Sequence, residues 1–462
     1  MAEILIKDGF IATMDKGRHV YSRGSVYVED GIVLKVGKTV KAARSPEHVI
    51  DARDKVVMPG FVNVHSHLQQ YFRGVYELIG DFYNVNLPLE GYRRPEDMKW
   101  LGSASCAEFI HGGCTTSMVI YTYPDGFAET VEKAGQRVIL GADIEEVDLN
   151  RLKEGVYDYL PEKGEAAYKR AVDLHRRWHG KQDGLLTAVM APKAADLALP
   201  ETYLKCRDYA LEHGLRMTTH LSQSGREYHQ VAKLYGKTPP EHLRDLDVLN
   251  GNLTGAHCTY ATDTDTQLLA QSGMGILHCR STSNPLTSWI DLGIPVGLGT
   301  DDYYHDMFQL LRENIAGQRR RARAVGGQFG LISSNKLTFR PSYYDLLELA
   351  TMKGAEVLGI DSEVGSIEPG KKADIITVDM NNPYLKPTRD PLTSIVLYGN
   401  PSDIDHVIVD GRILKQEGKL TTINVEEALE SAQGRTDEII DRFFEDHPLQ
   451  RERWEKVTRR GA

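Results

Sequence analysis

PGFVNVHSH, running from Pro59 to His67, is an apolar run that ends in a His-x-His pair. In a β-strand, residues i and i+2 point to the same face, so the imidazoles of His65 and His67 can converge on one ion. Neutral imidazole nitrogen at ~2.0–2.1 Å suits zinc and similar borderline metals. Taken alone the pair carries little, because a chance or surface pair accounts for such a motif about as well.

Outward from this stretch the pattern recurs. His220 ends a predicted strand in RMTTH (216–220), His257 another in LTGAHC (253–258), His278 the next in GILHC (275–279), and Asp301 the last in GLGTD (297–301). The predicted strands between 56 and 360 are Val56–Val64, Cys114–Tyr121, Arg137–Ala142, Leu185–Met190, Leu215–Thr219, Leu253–Ala256, Met274–Leu277 and Pro295–Gly299. Amphipathic segments such as Pro95–His111 and Pro200–His213 separate them. Eight buried strands, most followed by a helix, predict an α/β chain with a (β/α)8 TIM-like barrel. Active sites of such barrels form at the C-terminal ends of the strands, where these polar residues fall. One such histidine reads as a hydrogen-bonded core residue; five histidines and an aspartate at equivalent strand ends do not.

Both ends of the chain read differently. Residues 1–55 hold short predicted strands at Ile4–Ile6, Phe10–Thr13, Ser25–Val28 and Ile32–Val36, with Asp-Gly hairpin signals at 8–9 and 30–31. Matching strands at Asp374–Val378, His406–Val409 and Arg412–Lys415 carry a further Asp-Gly at 410–411. The expected organisation is a small discontinuous β-sandwich from 1–55 and 361–422, a metal-dependent barrel over 56–360, and a charged helical tail over 423–462. The tail should pack outside the barrel or at a subunit contact, and a homo-oligomer is expected.

Composition bounds the partners. With 55 Lys and Arg against 65 Asp and Glu, the chain of 462 residues carries a net charge of −10. That balance excludes nucleic acid as an expected partner, since such affinity rests on clustered basic residues. The one dense basic run, from Gln318 to Arg323, reads as a solvated helix face. The five cysteines are odd in number and lack CxxC spacing, so neither a disulfide framework nor a cysteine-type zinc site is expected. No run of ~18 apolar residues appears, which predicts no membrane partner and a cytoplasmic enzyme with a small-molecule substrate.

In combination and order, PGFVNVHSH, the His-Leu at 220, GAHC around 257, LHCRSTSN at 277–284, GLGTDD at 297–302 and GSIEPGKKADI from Gly365 resemble the amidohydrolase superfamily. The likeness is to the branch of cytosine and guanine deaminases and triazine chlorohydrolases, and it covers nearly the whole chain. It implies that His65, His67, His220 and Asp301 bind one divalent metal, zinc first, with iron, cobalt or manganese as alternatives. It further implies that His257 contacts the attacking water or the developing oxyanion, and that His278 lines the substrate pocket. The implied chemistry is hydrolysis of a carbon–nitrogen bond other than a peptide bond, with Asp301 taking the water's proton and passing it to the leaving group.

One departure matters. Deaminases of this branch read His-x-x-Glu after the fifth strand, and that glutamate shuttles protons; here the segment is His220-Leu221-Ser222-Gln223. A glutamine cannot act as general acid or base. Glu227, the nearest carboxylate, is expected to be solvated. The loss resembles the herbicide-degrading members, molinate hydrolase and diuron-type phenylurea hydrolases, whose exocyclic carbonyl substrates need a nucleophile and an oxyanion stabiliser but no ring protonation. The alternatives are a nucleobase or triazine deaminase or chlorohydrolase using Glu227 or a water relay, and, in another class, a non-catalytic binding protein on the same scaffold.

Lys193, in VMAPK (189–193), has two readings. It can be a lysine in the substrate pocket, the reading preferred here, or a carboxylated bridge to a second metal held by His220 and His257. The aromatic residues Tyr71, Phe72, Tyr76, Phe82 and Tyr83, with Tyr303, Tyr304 and His305 after Asp301, can line an apolar pocket or simply pack.

Overall fold

The computed structural model describes residues 3–42, 45–68, 72–79, 85–280, 284–302, 304–326 and 341–458. Tyr71, Phe82, Tyr83, Tyr303 and the side chain of Tyr76 lie outside the described residues. The chain begins with β1 (Ile4–Ala12), β2 (Val20–Glu29), β3 (Ile32–Gly37), β4 (His48–Asp51) and β5 (Lys55–Pro59). Eight strands follow: β6 (Phe61–Ser66), β7 (Cys114–Tyr121), β8 (Arg137–Ile144), β9 (Leu186–Pro192), β10 (Met217–Leu221), β11 (Leu253–His257), β12 (Gly275–His278) and β13 (Val296–Leu298). The chain returns through β14 (Ile375–Asp379), β15 (Ile404–Val409), β16 (Arg412–Gln416) and β17 (Lys419–Leu420).

Strands β6 to β13 pair in sequence order and in parallel, forming the TIM-like barrel. Every residue of β7 and of β8 is buried, as expected of parallel strands covered on both faces. The ends of this sheet meet where Ser66 bridges Asp301 in parallel.

Sequence periodicity reads 56–64 as one strand, but the chain divides at Gly60. The first half pairs antiparallel with β14, Pro59 opposite Ile375, while the second half pairs with β7 in the barrel. At the turning point the Gly60 nitrogen donates to the Asp374 carbonyl at 3.0 Å. A Cβ there would come within 2.0 Å of Thr115 Cγ2, so the close approach requires glycine.

The terminal strands hydrogen-bond into one nine-stranded, largely antiparallel sheet in the order β17-β16-β15-β14-β5-β1-β2-β3, with β4 beside β1. Strands from both termini meet at β5 and β14, and Ile32 of β3 also bridges Lys372, just before β14. Asp30-Gly31 and Asp410-Gly411 turn hairpins with positive φ at both residues. Asp8-Gly9 does not turn the chain: β1 runs straight through it, with register shifts on either side of Gly9. The positive φ of Asp8 is spent on a bulge, which shares its residue preferences with a hairpin.

Arg137, at the start of β8, clamps Asp374 through Nε at 3.0 Å and Nη2 at 3.2 Å, a buried pair that ties the barrel to the sheet. The tail forms helices Val425–Asp446 and Pro448–Thr458. Phe443 of the first is buried and Arg442 Nη2 donates to the Tyr92 carbonyl at 3.1 Å, so the tail packs on the outside of the barrel. Of the basic run, Gln318 is buried, while Arg319 and Arg320 are exposed. No described helix is long and apolar enough to cross a membrane.

Candidate metal centre

Alternation along β6 sends Asn63 and His65 to one side, and His67 follows just past the strand end. Val62 and Val64, on the other side, pack in an apolar cluster with Ala355 and Val357 of the helix Met352–Leu358. The rim is backbone-strained: Ser222, His257, Cys258 and Asp301 all adopt positive φ, at 49, 74, 51 and 64°. Each such non-glycine residue costs about 1–3 kcal/mol, and outliers of this kind gather at functional sites.

The rings of His67 and His220 are oriented by main-chain carbonyls. His67 Nδ1 donates to Ile120 O at 2.7 Å and His220 Nδ1 to Lys193 O at 2.8 Å. Each carbonyl engages Nδ1 and leaves Nε2 facing the cluster, the orientation usual for metal-bound histidine. The two Nε2 atoms stand 3.3 Å apart. That separation matches the edge of a tetrahedron whose donors lie ~2.0–2.1 Å from a central ion. His65 is 1 % exposed and neither of its ring nitrogens has a hydrogen-bond partner among the described residues. Donor atoms of His65, His67 and His220 all fall within 4.8 Å of one another. Asp301 Oδ1 lies 3.6 Å from His65 Nε2 and 3.5 Å from His67 Nε2.

The electrostatics fit a cation. Burial depresses the His67 pKa, but the Asp301 hydrogen bond and the charges of Asp302, Asp301 and Asp143 outweigh it and push it up to about 10. His65, His220 and His257 are pushed down, chiefly by burial. The carboxylates of Asp301, Asp302 and Asp143 thus direct a negative field at these imidazoles. A divalent cation satisfies the same field and the orphaned nitrogens together, so the donor set fits a metal.

His257 lies beside this group, its ring 5.5 Å from that of His220 and 5.7 Å from that of His65, and its Nε2 has no hydrogen-bond partner among the described residues. His278 is set deeper. It is fully buried, with Nε2 2.7 Å from Asn314 Oδ1 and Nδ1 accepting from Asn284 Nδ2 at 3.2 Å. Neither nitrogen is left to meet a substrate, contrary to the pocket-lining role expected of it. Asn284 Nδ2 also donates to the His257 carbonyl at 3.0 Å, so His278 supports the strained His257 backbone through that amide.

Lys193 borders the pocket that contains His67, His220, Gln223, Arg226 and Asp302. Its Nζ is 2.7 Å from Glu145 Oε2, 3.5 Å from Asp143 Oδ2 and 3.9 Å from Glu90 Oε2. Burial lowers its pKa, but these carboxylates raise it well above the ordinary lysine value. Carboxylation needs a neutral amine, so the bridging reading does not fit this environment.

Glu227 corrects the sequence reading. It is buried rather than solvated, with Oε1 accepting from Ser222 N at 3.0 Å and Oε2 from Gln223 N at 2.7 Å. Its carboxyl is thus committed to the turn that carries Gln223. The signal was local: the Ser224 hydroxyl accepts from Glu227 N, so Glu227 opens the helix Gly225–Tyr235 facing back to that turn. Asp302 was missed as a residue in its own right. Burial and the neighbouring Asp301 push its pKa up to about 8, and its Oδ1 has no partner among the described residues. Phe72 is core, and His305 is buried against Phe109 with ring centroids 3.9 Å apart. The Tyr304 hydroxyl donates to Glu313 at 3.0 Å.

The model of the amidohydrolase family matches residues 56–414. A 5-methylthioadenosine/S-adenosylhomocysteine deaminase of Symbiobacterium thermophilum is 31% identical over 433 residues, covering 90% of this chain and 94% of its own. A 5'-deoxyadenosine deaminase of Methanosarcina mazei is 29% identical over 453 residues, covering 96% and 99%. Among solved structures, an adenosine deaminase from Xanthomonas campestris with bound zinc superposes with a TM-score of 0.82 at 23% identity, covering 95% of this chain and 99% of that one. An atrazine chlorohydrolase from Arthrobacter aurescens complexed with zinc gives 0.82 at 20% identity, covering 94% and 100%. At those identities the two structures speak for the shared fold.

Proposed function

We propose, from the premise that this chain belongs to the amidohydrolase family and is a metal-dependent hydrolase of carbon–nitrogen bonds, that it removes an exocyclic amino group from a purine-type heterocycle. The full-length kinship to enzymes named as deaminases of adenosine-type compounds favours this reading over a phenylurea or thiocarbamate herbicide. The observation that carries the hydrolytic part is the pair of oriented Nε2 atoms 3.3 Å apart on His67 and His220, beside His65, whose ring nitrogens have no hydrogen-bond partner among the described residues.

His65, His67, His220 and Asp301 would hold one divalent ion, with zinc the ion we propose for a nitrogen-rich set of this kind. Bound there, it supplies Lewis acidity that lowers the pKa of water from 15.7 toward ~7. Asp301 accepts the proton of the attacking water, and His257 Nε2 meets the charge that develops on the attacked centre. Ring protonation needs a further carboxyl. Gln223 cannot provide it, and Glu227 has both oxygens on main-chain amides. Glu90 and Asp143 face Lys193. Asp302 is left on the pocket wall with an oxygen that has no partner among the described residues, and in this reading it delivers the proton.

Gln223 itself favours a second reading. An acyclic urea, carbamate or amide carbonyl can be cleaved with a nucleophile and an oxyanion partner alone. The deciding experiment is metal analysis of the purified chain followed by a panel of adenosine-type nucleosides, aminotriazines, aryl ureas and thiocarbamates. Ammonia released from the nucleosides supports deamination. Amine or thiol released from the acyclic substrates alone overturns it in favour of the second reading.

A further inference from the structure

The rim carries a second set of metal-type donors beside the three histidines. One donor atom from each of His65, His257, Cys279 and Asp301 lies within 4.8 Å of all the others, and the first three residues are buried. The set is two imidazoles, a thiol and a carboxylate; with His65 assigned to the first ion, His257, Cys279 and Asp301 remain as three donors. Cys279 follows β12 directly, so its position next to Asp301 is set by the same strand ends that build the first site. Its Sγ makes a weak 3.4 Å contact with the Leu277 carbonyl.

A lone cysteine would mean little, but the nitrogens around it supply an independent observation. Among the described residues, His257 Nε2 and both ring nitrogens of His65 are buried without a hydrogen-bond partner. Each buried orphan costs about 1–3 kcal/mol, and a bound water, an ion or a catalytic role commonly accounts for one. One ion on His65, His67 and His220 uses a single His65 nitrogen and leaves His257 unsatisfied.

We propose that His257, Cys279 and the second oxygen of Asp301 form a second cation position next to the first, selective for soft, thiophilic divalent ions such as Zn²⁺ in excess or Cd²⁺. Thiolate is the ligand that distinguishes this position from the nitrogen-rich one, and it selects soft ions over Mg²⁺ or Mn²⁺. Filling it displaces the thiol proton to solvent and withdraws His257 and Asp301 from hydrolysis. Excess soft metal is therefore inhibitory. The proposal rests on the metal-centre reading and not on the identity of the substrate.

The test is Cd²⁺ titration of the full chain already loaded with one equivalent of Zn²⁺. The expected result is uptake of one further equivalent, accompanied by an ultraviolet sulfur-to-cadmium charge-transfer band. Cys279→Ser and Cys279→Ala should lose the band and the extra equivalent, whereas Cys258→Ser should keep both. Where a panel substrate is turned over, Cys279→Ser should retain the basal rate and need at least tenfold more Cd²⁺ for half inhibition. Absence of the band in folded wild-type protein, or its persistence in folded Cys279→Ser, overturns the proposal. Should the variants fail to fold, wild-type uptake of no more than the first equivalent overturns it alone. Failure of the whole substrate panel would sink the functional reading and leave the spectroscopic result standing.

Discussion

The main-chain nitrogen of Asp301 donates to the carbonyl of His65 at 3.0 Å, and the nitrogen of His67 donates back to the Asp301 carbonyl at 3.3 Å. The two ligand-bearing segments therefore close the barrel through their own backbones. The first and last barrel strands are joined by residues whose side chains converge on the proposed ion.

Metal removal should loosen that seam. A ligand that binds only the native state stabilises by RT ln(1 + [L]/Kd), about 4 kcal/mol at a thousandfold excess over Kd. Chelated protein should unfold at a lower temperature than zinc-loaded protein, and re-addition should restore the transition. Superimposable thermal curves, with stripping verified by metal analysis, would separate the ion from barrel closure.

His257→Ala should lower kcat by a factor on the order of 100 or more, as loss of a preorganised oxyanion partner does. The metal content should be unchanged, because His65, His67 and His220 remain. Full activity in the variant would remove His257 from the mechanism.

Gln223→Glu places a carboxyl where the branch carries its proton shuttle, on a turn already fixed by Glu227. General acid–base groups contribute roughly 10²–10⁴-fold. If the substrate is an aminated ring, ammonia release should rise while Asp302→Asn falls. A Gln223→Glu variant that gains nothing on any ring and loses activity on acyclic ureas would favour the carbonyl reading.

The Glu145–Lys193 pair makes a pH prediction. Burial raises the Glu145 carboxyl, but Lys193 and Lys163 more than offset this and hold it down to about 2, below the ordinary 4.5. A depressed folded pKa means the unfolded chain takes up the proton first as pH falls. The stability Glu145 contributes is thus present above about 4.5 and lost toward 2. By urea unfolding, Glu145→Gln should cost about 3 kcal/mol near neutrality, and the gap to wild type should shrink as pH drops below 4.5. A gap independent of pH would show that the charge is not what the pair contributes.

The barrel and the strand-end cluster of histidines with Asp301 were legible because each reports itself locally: a run of apolar residues that stops at a histidine or aspartate needs no knowledge of distant parts. What escaped depends on three-dimensional neighbours. Glu227 looks solvated by sequence separation, yet the turn after His220 folds its amides onto that carboxylate. Asp8-Gly9 reads as a hairpin because a bulge uses the same left-handed backbone. His278 carries the strand-end signature of its neighbours, but Asn284 and Asn314, which occupy its nitrogens, are invisible from the motif. Cys279 lacks any cysteine spacing, since its companions come from three other strands.

Gly60 is the sharpest instance of a neighbour deciding the outcome. Nothing in PGFVN marks a boundary beyond the glycine, yet the strand passes there from the terminal sheet to the barrel. A Cβ at this position would sit 2.0 Å from Thr115 Cγ2 and 2.3 Å from Thr115 Oγ1, on the strand adjacent to β6. Gly60→Ala must push β6 away from β7 or rotate Thr115, and overpacking of this kind costs about 1–3 kcal/mol. Because His65 lies five residues further along the same segment, the shift should also reach the proposed metal ligands. The expected outcome is a lower unfolding temperature together with weaker zinc retention on dialysis. The double variant Gly60→Ala/Thr115→Ser, which removes the nearest methyl, should recover part of both. If Gly60→Ala unfolds at the wild-type temperature and keeps its zinc, the junction is not the tight hinge these distances describe.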